Sequence, residues 1–211
     1  MKRLIAASLF AAPLFAMAAP VNLLTNGSFE STTVSNGSYV ILDSIAGWTV
    51  GPHGVELRNN VAGSAFNGSN FAELDTTTNS WISQTLNTVL GTAYTLTFSY
   101  AARPDNQGAN SNGLNWSIGS LSGNVGQDTT TTWQTFTTTF TGTGSPMTLR
   151  FGATGRADSY GTSLDNISVV SNAGAGGNAA AVPEPQSLAL LLAGFGAMGL
   201  VIRRRQRAGK A

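Results

Sequence analysis

Tyr94-Thr95-Leu96-Thr97-Phe98-Ser99-Tyr100 places aromatic and aliphatic residues on every second position and hydroxyl residues between them. Side chains of a strand alternate between two faces, so this spacing predicts a strand with one buried side. The same rhythm recurs outward along the chain. Met147, Leu149 and Phe151 alternate with Thr148 and Arg150; Phe136 and Phe140 share a face with Thr138; Ile167 and Val169 share another. Turn-forming pairs punctuate the runs: Asn26-Gly27, Asn36-Gly37, Asn67-Gly68, Asn112-Gly113, and the stretch from Gly142 to Gly144. No helical stripe interrupts them. Many short strands joined by such turns predict an all-β domain over residues 20–171, a jelly-roll β-sandwich.

Beyond this domain the composition changes at both ends. Lys2 and Arg3 precede a mostly apolar stretch from Leu4 to Met17, and small residues stand at Ala16 and Ala18. That order predicts a signal peptide at residues 1–18, cut after Ala18. Residues 172–181 are rich in Gly, Ala and Asn without apolar pattern and read as a flexible linker. Residues 182–207 follow, with an apolar helix expected at 187–202. At 16 residues it is slightly short of the roughly 17–25 that span a bilayer. The basic cluster after it holds that end on the cytoplasmic side.

The charge of the whole chain, +1, hides an asymmetry. Seven of its 11 Lys and Arg residues lie in the terminal segments, leaving Arg58, Arg103, Arg150 and Arg156 in the domain. Nine of the 10 acidic residues lie in the domain, which is therefore near −5 and lacks lysine. Such a surface offers no footprint for a phosphate backbone, so nucleic acid is excluded as a partner. The absence of cysteine excludes disulfides and thiolate metal sites.

Two resemblances follow from these residues. Val182-Pro183-Glu184-Pro185, the short apolar run and Arg203-Arg204-Arg205 resemble the PEP-CTERM sorting signal. The resemblance implies export in a Gram-negative bacterium, transient anchoring in the inner membrane, and processing near the motif by an exosortase. It also implies delivery to a cell surface or matrix built with extracellular polysaccharide. Within the domain, Asn22 to Glu30 (NLLTNGSFE), Ile45-Ala46-Gly47-Trp48, Asn70 to Asp75, Ile82 to Leu86, Gly91 to Phe98, Trp133 to Phe136 and Leu164 to Val169 occur in an order that resembles galactose-binding-like domains, especially family-four-type carbohydrate-binding modules.

That second resemblance implies a structural calcium where the first and last strands meet, held by Glu30 and Asp165 with backbone carbonyls. Calcium takes six to eight hard oxygen ligands, which suits carboxylates and carbonyls. Asp165 also has the parity of Ile167 and Val169, which predicts a carboxylate facing inward. The alternative is that backbone amides at the strand end satisfy it.

For sugar binding the candidates are Trp116, Trp81 and Arg103. Trp48 and Trp133 lie in landmarks that pack the core of the resembled modules. Trp116 follows the polar loop from Asn106 to Asn115, and Arg103, beside Asp105, either bonds a sugar hydroxyl or forms a solvated ion pair. An aromatic in a sandwich is more often core than platform. Catalysis has little support. His53 is the only histidine and sits in a Pro-His-Gly turn, and no serine occupies a Gly-x-Ser-x-Gly elbow. Glu73 and Asp75 share a strand face without a partner to split their acidities. The expectation is a non-enzymatic surface or matrix protein that binds carbohydrate. The alternatives are a structural or adhesive envelope protein and, behind it, a glycan-active hydrolase.

Overall fold

The computed structural model describes residues 21–105 and 108–172. The expected signal peptide, the linker beyond Asn172 and the sorting segment with its apolar helix lie outside them. Among the described residues no helix is long and apolar enough to cross a membrane.

Among the described residues eleven strands follow one another: β1 Ser38–Leu42, β2 Thr49–Val50, β3 Val55–Asn59, β4 Phe71–Glu73, β5 Trp81–Asn87, β6 Ala93–Ala102, β7 Leu114–Ile118, β8 Leu121–Val125, β9 Gln134–Thr141, β10 Pro146–Ala153 and β11 Thr162–Ser171. They form two antiparallel sheets, ordered β1-β3-β4-β11-β6-β9 and β2-β5-β10-β7-β8. The sheets face one another across a single apolar core, the jelly-roll sandwich that the alternation predicts. Among the described residues the one helical element is a turn of 3₁₀ helix at Ala109–Ser111.

Period-two burial builds the core. Leu57, Ala72, Leu96, Phe98 and Leu164 point inward from the first sheet, and Ile82, Leu86, Trp116, Ile118, Leu149 and Phe151 from the second. Phe98 sits edge-on to Phe151 at 4.9 Å between ring centroids and tilted against Phe136 at 5.1 Å. Each such side chain contributes about 1.5–3 kcal/mol on burial, so the shared interior holds the sheets together.

Two features set the geometry of the site. The first segment joins the end of β11, where Asn22 bridges Val170 and the Leu23 amide donates to the Val169 carbonyl at 2.8 Å. The register of β11 against β6 then slips between Asp165 and Ser168, with Asn166 at φ 50. This bulge inverts the alternation, because one extra residue turns every following side chain to the other face. Leu164 and Ile167 therefore both point into the core, and Asp165 points away from it. The expected parity of Asp165 with Ile167 and Val169 fails for this reason.

Candidate functional site

The outer face of the six-stranded sheet carries the unusual chemistry. Register places Tyr39 beside Arg58, Ile41 beside Glu56, Glu56 beside Glu73, and Glu73 beside Ser163. An outward-facing row normally meets water. Here the loops before and after β4, the loop after β6 and the segment before β11 fold over it, and Arg58, Glu73 and Asp165 are all 0% exposed.

Two carboxylates opposed on neighbouring strands repel one another, and Arg58 lies between them. Its Nε donates to Glu56 Oε1 at 2.6 Å and its Nη2 to Glu73 Oε2, while the guanidinium carbon stands 5.9 Å from the centre of the Phe71 ring. Glu73 accepts further bonds from Arg103 Nη1 at 3.3 Å and the Gly161 amide at 2.8 Å. Burial nonetheless pushes its pKa up to about 7, against the pull of Arg58 and Arg103.

Above this row lies a pocket of about 330 Å³. Glu56 and Arg58 line its base, Tyr39 and Tyr160 flank it, and Thr76 and Arg103 complete its walls. Arg103 is held on several sides. It forms a two-pronged pair with Asp105, at 2.6 and 2.9 Å, donates to the Ser159 carbonyl at 2.8 Å, and lies 4.7 Å from the Tyr160 ring centre. Its hydrogen bonds, and then its charge, hold the Asp105 carboxyl below the usual range. Tyr39, at 57% exposed, presents its ring to solvent at the rim.

A second hollow of about 180 Å³ adjoins the first through Ala62, which lines both. Phe71 and Trp133 line it, set edge-on at 6.0 Å, and Phe66 packs edge-on against the other side of Trp133. Trp133 is half-buried here, with its Nε1 donating to the Ser64 carbonyl at 2.9 Å. Its expected place in the core is corrected: it belongs to the outer face, next to an opening.

The three expected sugar contacts are not brought together. Trp116 is an inward residue of β7, 6% exposed, packed on Phe136 at 5.0 Å and Phe98 at 6.5 Å. It is a core side chain, which removes it as a platform. Trp81 lies on the outer face of the five-stranded sheet, in the other layer, with Arg150 stacked 4.9 Å from its ring centre. Of the three, Arg103 alone lines the pocket; its pair with Asp105 is open to solvent on the Asp105 side, which is 52% exposed, while its pair with Glu73 is buried. Glu56, Arg58, Tyr39 and Tyr160 escaped the sequence reading. The signal available was Val55-Glu56-Leu57-Arg58, whose alternation marks a strand with charges on its second face.

Glu30 and Asp165 meet at one loop. Asp165 Oδ2 accepts the Phe66 and Asn67 amides, both at 2.8 Å, and its Oδ1 the Asn166 amide at 2.6 Å. Glu30 Oε1 accepts the Ser69 and Asn70 amides at 2.9 and 2.7 Å. The Asn26 to Glu30 hook is shaped for this. A Cβ on Gly27 would overlap the Ile167 carbonyl oxygen, and Phe29 adopts φ 61 to reach the core. Trp48 Nε1 and the Ile167 amide bind the hook's Asn26 and Gly27 carbonyls at 3.0 and 2.9 Å. Burial raises Asp165 to about 6, and the nearby Glu30 charge adds to it. The amides match the alternative account of these carboxylates. The pair also suits a hard cation, since two like charges converge with oxygen lone pairs in excess of the donors. Among the described residues no three His, Cys, Asp or Glu side chains gather as a metal group, so a cation here needs amide or carbonyl oxygens as well.

Glu73 and Asp75 do lie near each other, both within 3.3 Å of where a Gly161 Cβ would stand. Glu73 is bound by two guanidiniums and an amide, and Asp75 Oδ2 by the amides of Asp158 and Ser159 at 3.0 and 3.1 Å. His53 is exposed in its turn, and its carbonyl accepts from Thr76 Oγ1 at 2.6 Å.

Residues 22–170 match the family described as Protein of unknown function (DUF642), and residues 181–205 match the PEP-CTERM protein-sorting motif. No curated protein sequence matches the chain. Among solved structures it is similar to TmCBM61 in complex with beta-1,4-galactotriose, at 18% identity and a TM-score of 0.51, over 71% of this chain and 97% of that one. It is similar as well to a Family 16 Carbohydrate Binding Module-2, at 17% identity and a TM-score of 0.50, over 71% of this chain and 99% of that one. At such identities the likeness is one of fold.

Proposed function

The chain belongs to the family described as Protein of unknown function (DUF642), and from that premise we propose that it is an exported surface or matrix protein whose sandwich binds carbohydrate without turning it over. The observation that carries this reading is the pocket of about 330 Å³ floored by Glu56 and Arg58 and flanked by Tyr39 and Tyr160. Carboxylates accept from sugar hydroxyls, guanidiniums donate to them, and tyrosine rings cover the C–H faces. The volume falls within the range of small-ligand sites. The fold shared with two carbohydrate-binding modules supports the same assignment. The hydrolase alternative lacks support because Glu73, the deepest carboxylate, is enclosed by Arg58, Arg103 and Gly161 and has no open path for a water nucleophile.

Sorting is read from the ends. The N-terminal segment directs export and is removed after Ala18, and the PEP-CTERM motif at 181–205 hands the chain to an exosortase at the inner membrane. The folded domain then reaches the cell surface or the extracellular polysaccharide of biofilm. Calcium would be held by Glu30 and Asp165, where it would neutralise two carboxylates and fasten the 66–70 loop, whose Phe66 packs on Trp133 of the second hollow.

The test is retention of the full chain on the cell's own exopolysaccharide and on arrayed neutral oligosaccharides. Tyr39→Ala and Tyr160→Ala are expected to lower affinity about tenfold, in line with the loss of a stacking ring. A folded chain that no glycan retains would overturn the carbohydrate reading in favour of a structural or adhesive envelope protein.

A further inference from the structure

Beside the pocket, three oxygen atoms are buried without any hydrogen-bond donor: Asp75 Oδ1, Asn79 Oδ1 and Asp158 Oδ1. Asp75 and Asn79 face each other across an isolated antiparallel bridge, so their side chains leave the 75–79 turn on one side. Both reach the 155–159 segment. Asn79 Nδ2 donates to the Gly155 carbonyl at 2.7 Å and leaves its Oδ1 unmatched, and Asp75 Oδ2 accepts the amides of Asp158 and Ser159. Asp158 in turn takes the Ser111 hydroxyl on Oδ2 at 2.8 Å and leaves Oδ1 unmatched. Asp75 itself is 1% exposed, so water does not reach its free oxygen from outside.

Unpaired buried acceptors are costly, and two of these three carry negative charge. No described ion pair compensates them, because the salt bridges of this face join Arg58 and Arg103 to Glu56, Glu73 and Asp105 instead. The exposed Arg156 in the same segment makes no described pair with either carboxylate. Burial raises the pKa of Asp75 against the amides of Asp158, Ser159 and Tyr160, which lower it, and the charge of Asp158 raises it further.

We propose that Asp75, Asn79 and Asp158 form a calcium site, separate from Glu30 and Asp165, that fastens the 75–79 turn to the 155–159 segment. The donors are hard oxygens without nitrogen or sulfur, which selects calcium over zinc, and backbone carbonyls and water complete the six to eight positions calcium accepts. The two segments it joins carry Thr76, Ser159 and Tyr160, which are walls of the pocket. Metal binding stands independently of what the pocket holds.

The experiment is equilibrium dialysis of calcium chloride against the full chain in detergent micelles, with folding checked by circular dichroism. Asp158→Asn keeps the size of the side chain and removes one charged ligand at a half-buried position. It is expected to abolish one equivalent of bound calcium, or to weaken it at least tenfold. Asp165→Asn is expected to leave that equivalent intact. Calcium uptake unchanged in folded Asp158→Asn, or no uptake remaining in folded Asp165→Asn, overturns the site. As a second readout, calcium should raise the melting temperature of the native chain by more than that of Asp158→Asn; equal shifts overturn it as well.

Discussion

The two outer faces of the sandwich come from the same kind of alternating strand and have opposite fates. On the five-stranded sheet the outward row, Trp81, Ser83, Thr85, Thr148 and Arg150, stays partly or fully in water. On the six-stranded sheet the equivalent row, Glu56, Arg58, Phe71, Glu73, Ser163 and Asp165, lies under loops and is buried. A strand specifies that polar residues share a side, and the loops above decide whether that side is wet. Burial converts an ordinary polar row into one whose charges must pair with one another, and a concave, charged floor follows from that requirement.

The comparison predicts a graded set of costs. Arg58→Met should be the most damaging change to the buried row, since it strands Glu56 and Glu73 without their shared cation. A loss of about 3–5 kcal/mol is expected in denaturant unfolding. Trp116→Ala should cost about 3–5 kcal/mol too, as a core truncation. If either substitution proved as mild as a surface change, the burial described for that side chain would be wrong.

Next in size is the response to pH. Glu73 and Asp165 are raised in the folded state, to about 7 and about 6, from ordinary values of 4.5 and 3.8. The folded chain therefore holds these protons more tightly than the unfolded one. Their stabilising contribution is complete below about pH 4 and is lost as pH rises through 6 and 7. Thermal melts without divalent cations should show this downward slope between pH 5 and 7, and Glu73→Gln should flatten its upper part. A slope that Glu73→Gln leaves unaltered would remove Glu73 as its source. The calcium proposed at Glu30 and Asp165 would reverse the sign for Asp165, because the ion would bind the ionised carboxylate; its affinity should then grow as pH rises through about 6.

The smallest effect belongs to the open face. Arg150→Met loses a cation stacked on Trp81 in partial contact with water and should cost about 0.5–1 kcal/mol. A cost near that of Arg58→Met would erase the distinction between the faces.

Much of the fold was legible. The Tyr94 to Tyr100 alternation is the middle of β6, the Met147 to Phe151 run lies within β10, and the Asn-Gly pairs all fall outside the strands. The site was legible only in pieces. Arg103 lines the pocket, while Trp116 was misplaced because a tryptophan after a polar loop looks the same in sequence whether it points in or out. The Leu164 to Val169 stretch misled in a more instructive way, since a single bulged residue between Asp165 and Ser168 reverses the face to which parity assigns the carboxylate.

The order of residues settled what depends on near neighbours: strand periodicity, turn positions, the PEP-CTERM sorting motif, and the acidic, lysine-free character of the domain. Tertiary structure alone decided which polar row is buried, and it alone set Glu56, Arg58, Glu73 and Arg103 together from segments up to 47 residues apart. The reason is physical. Alternation is a local property of the backbone, whereas desolvation depends on loops that arrive from elsewhere in the chain, and no spacing within one strand encodes them.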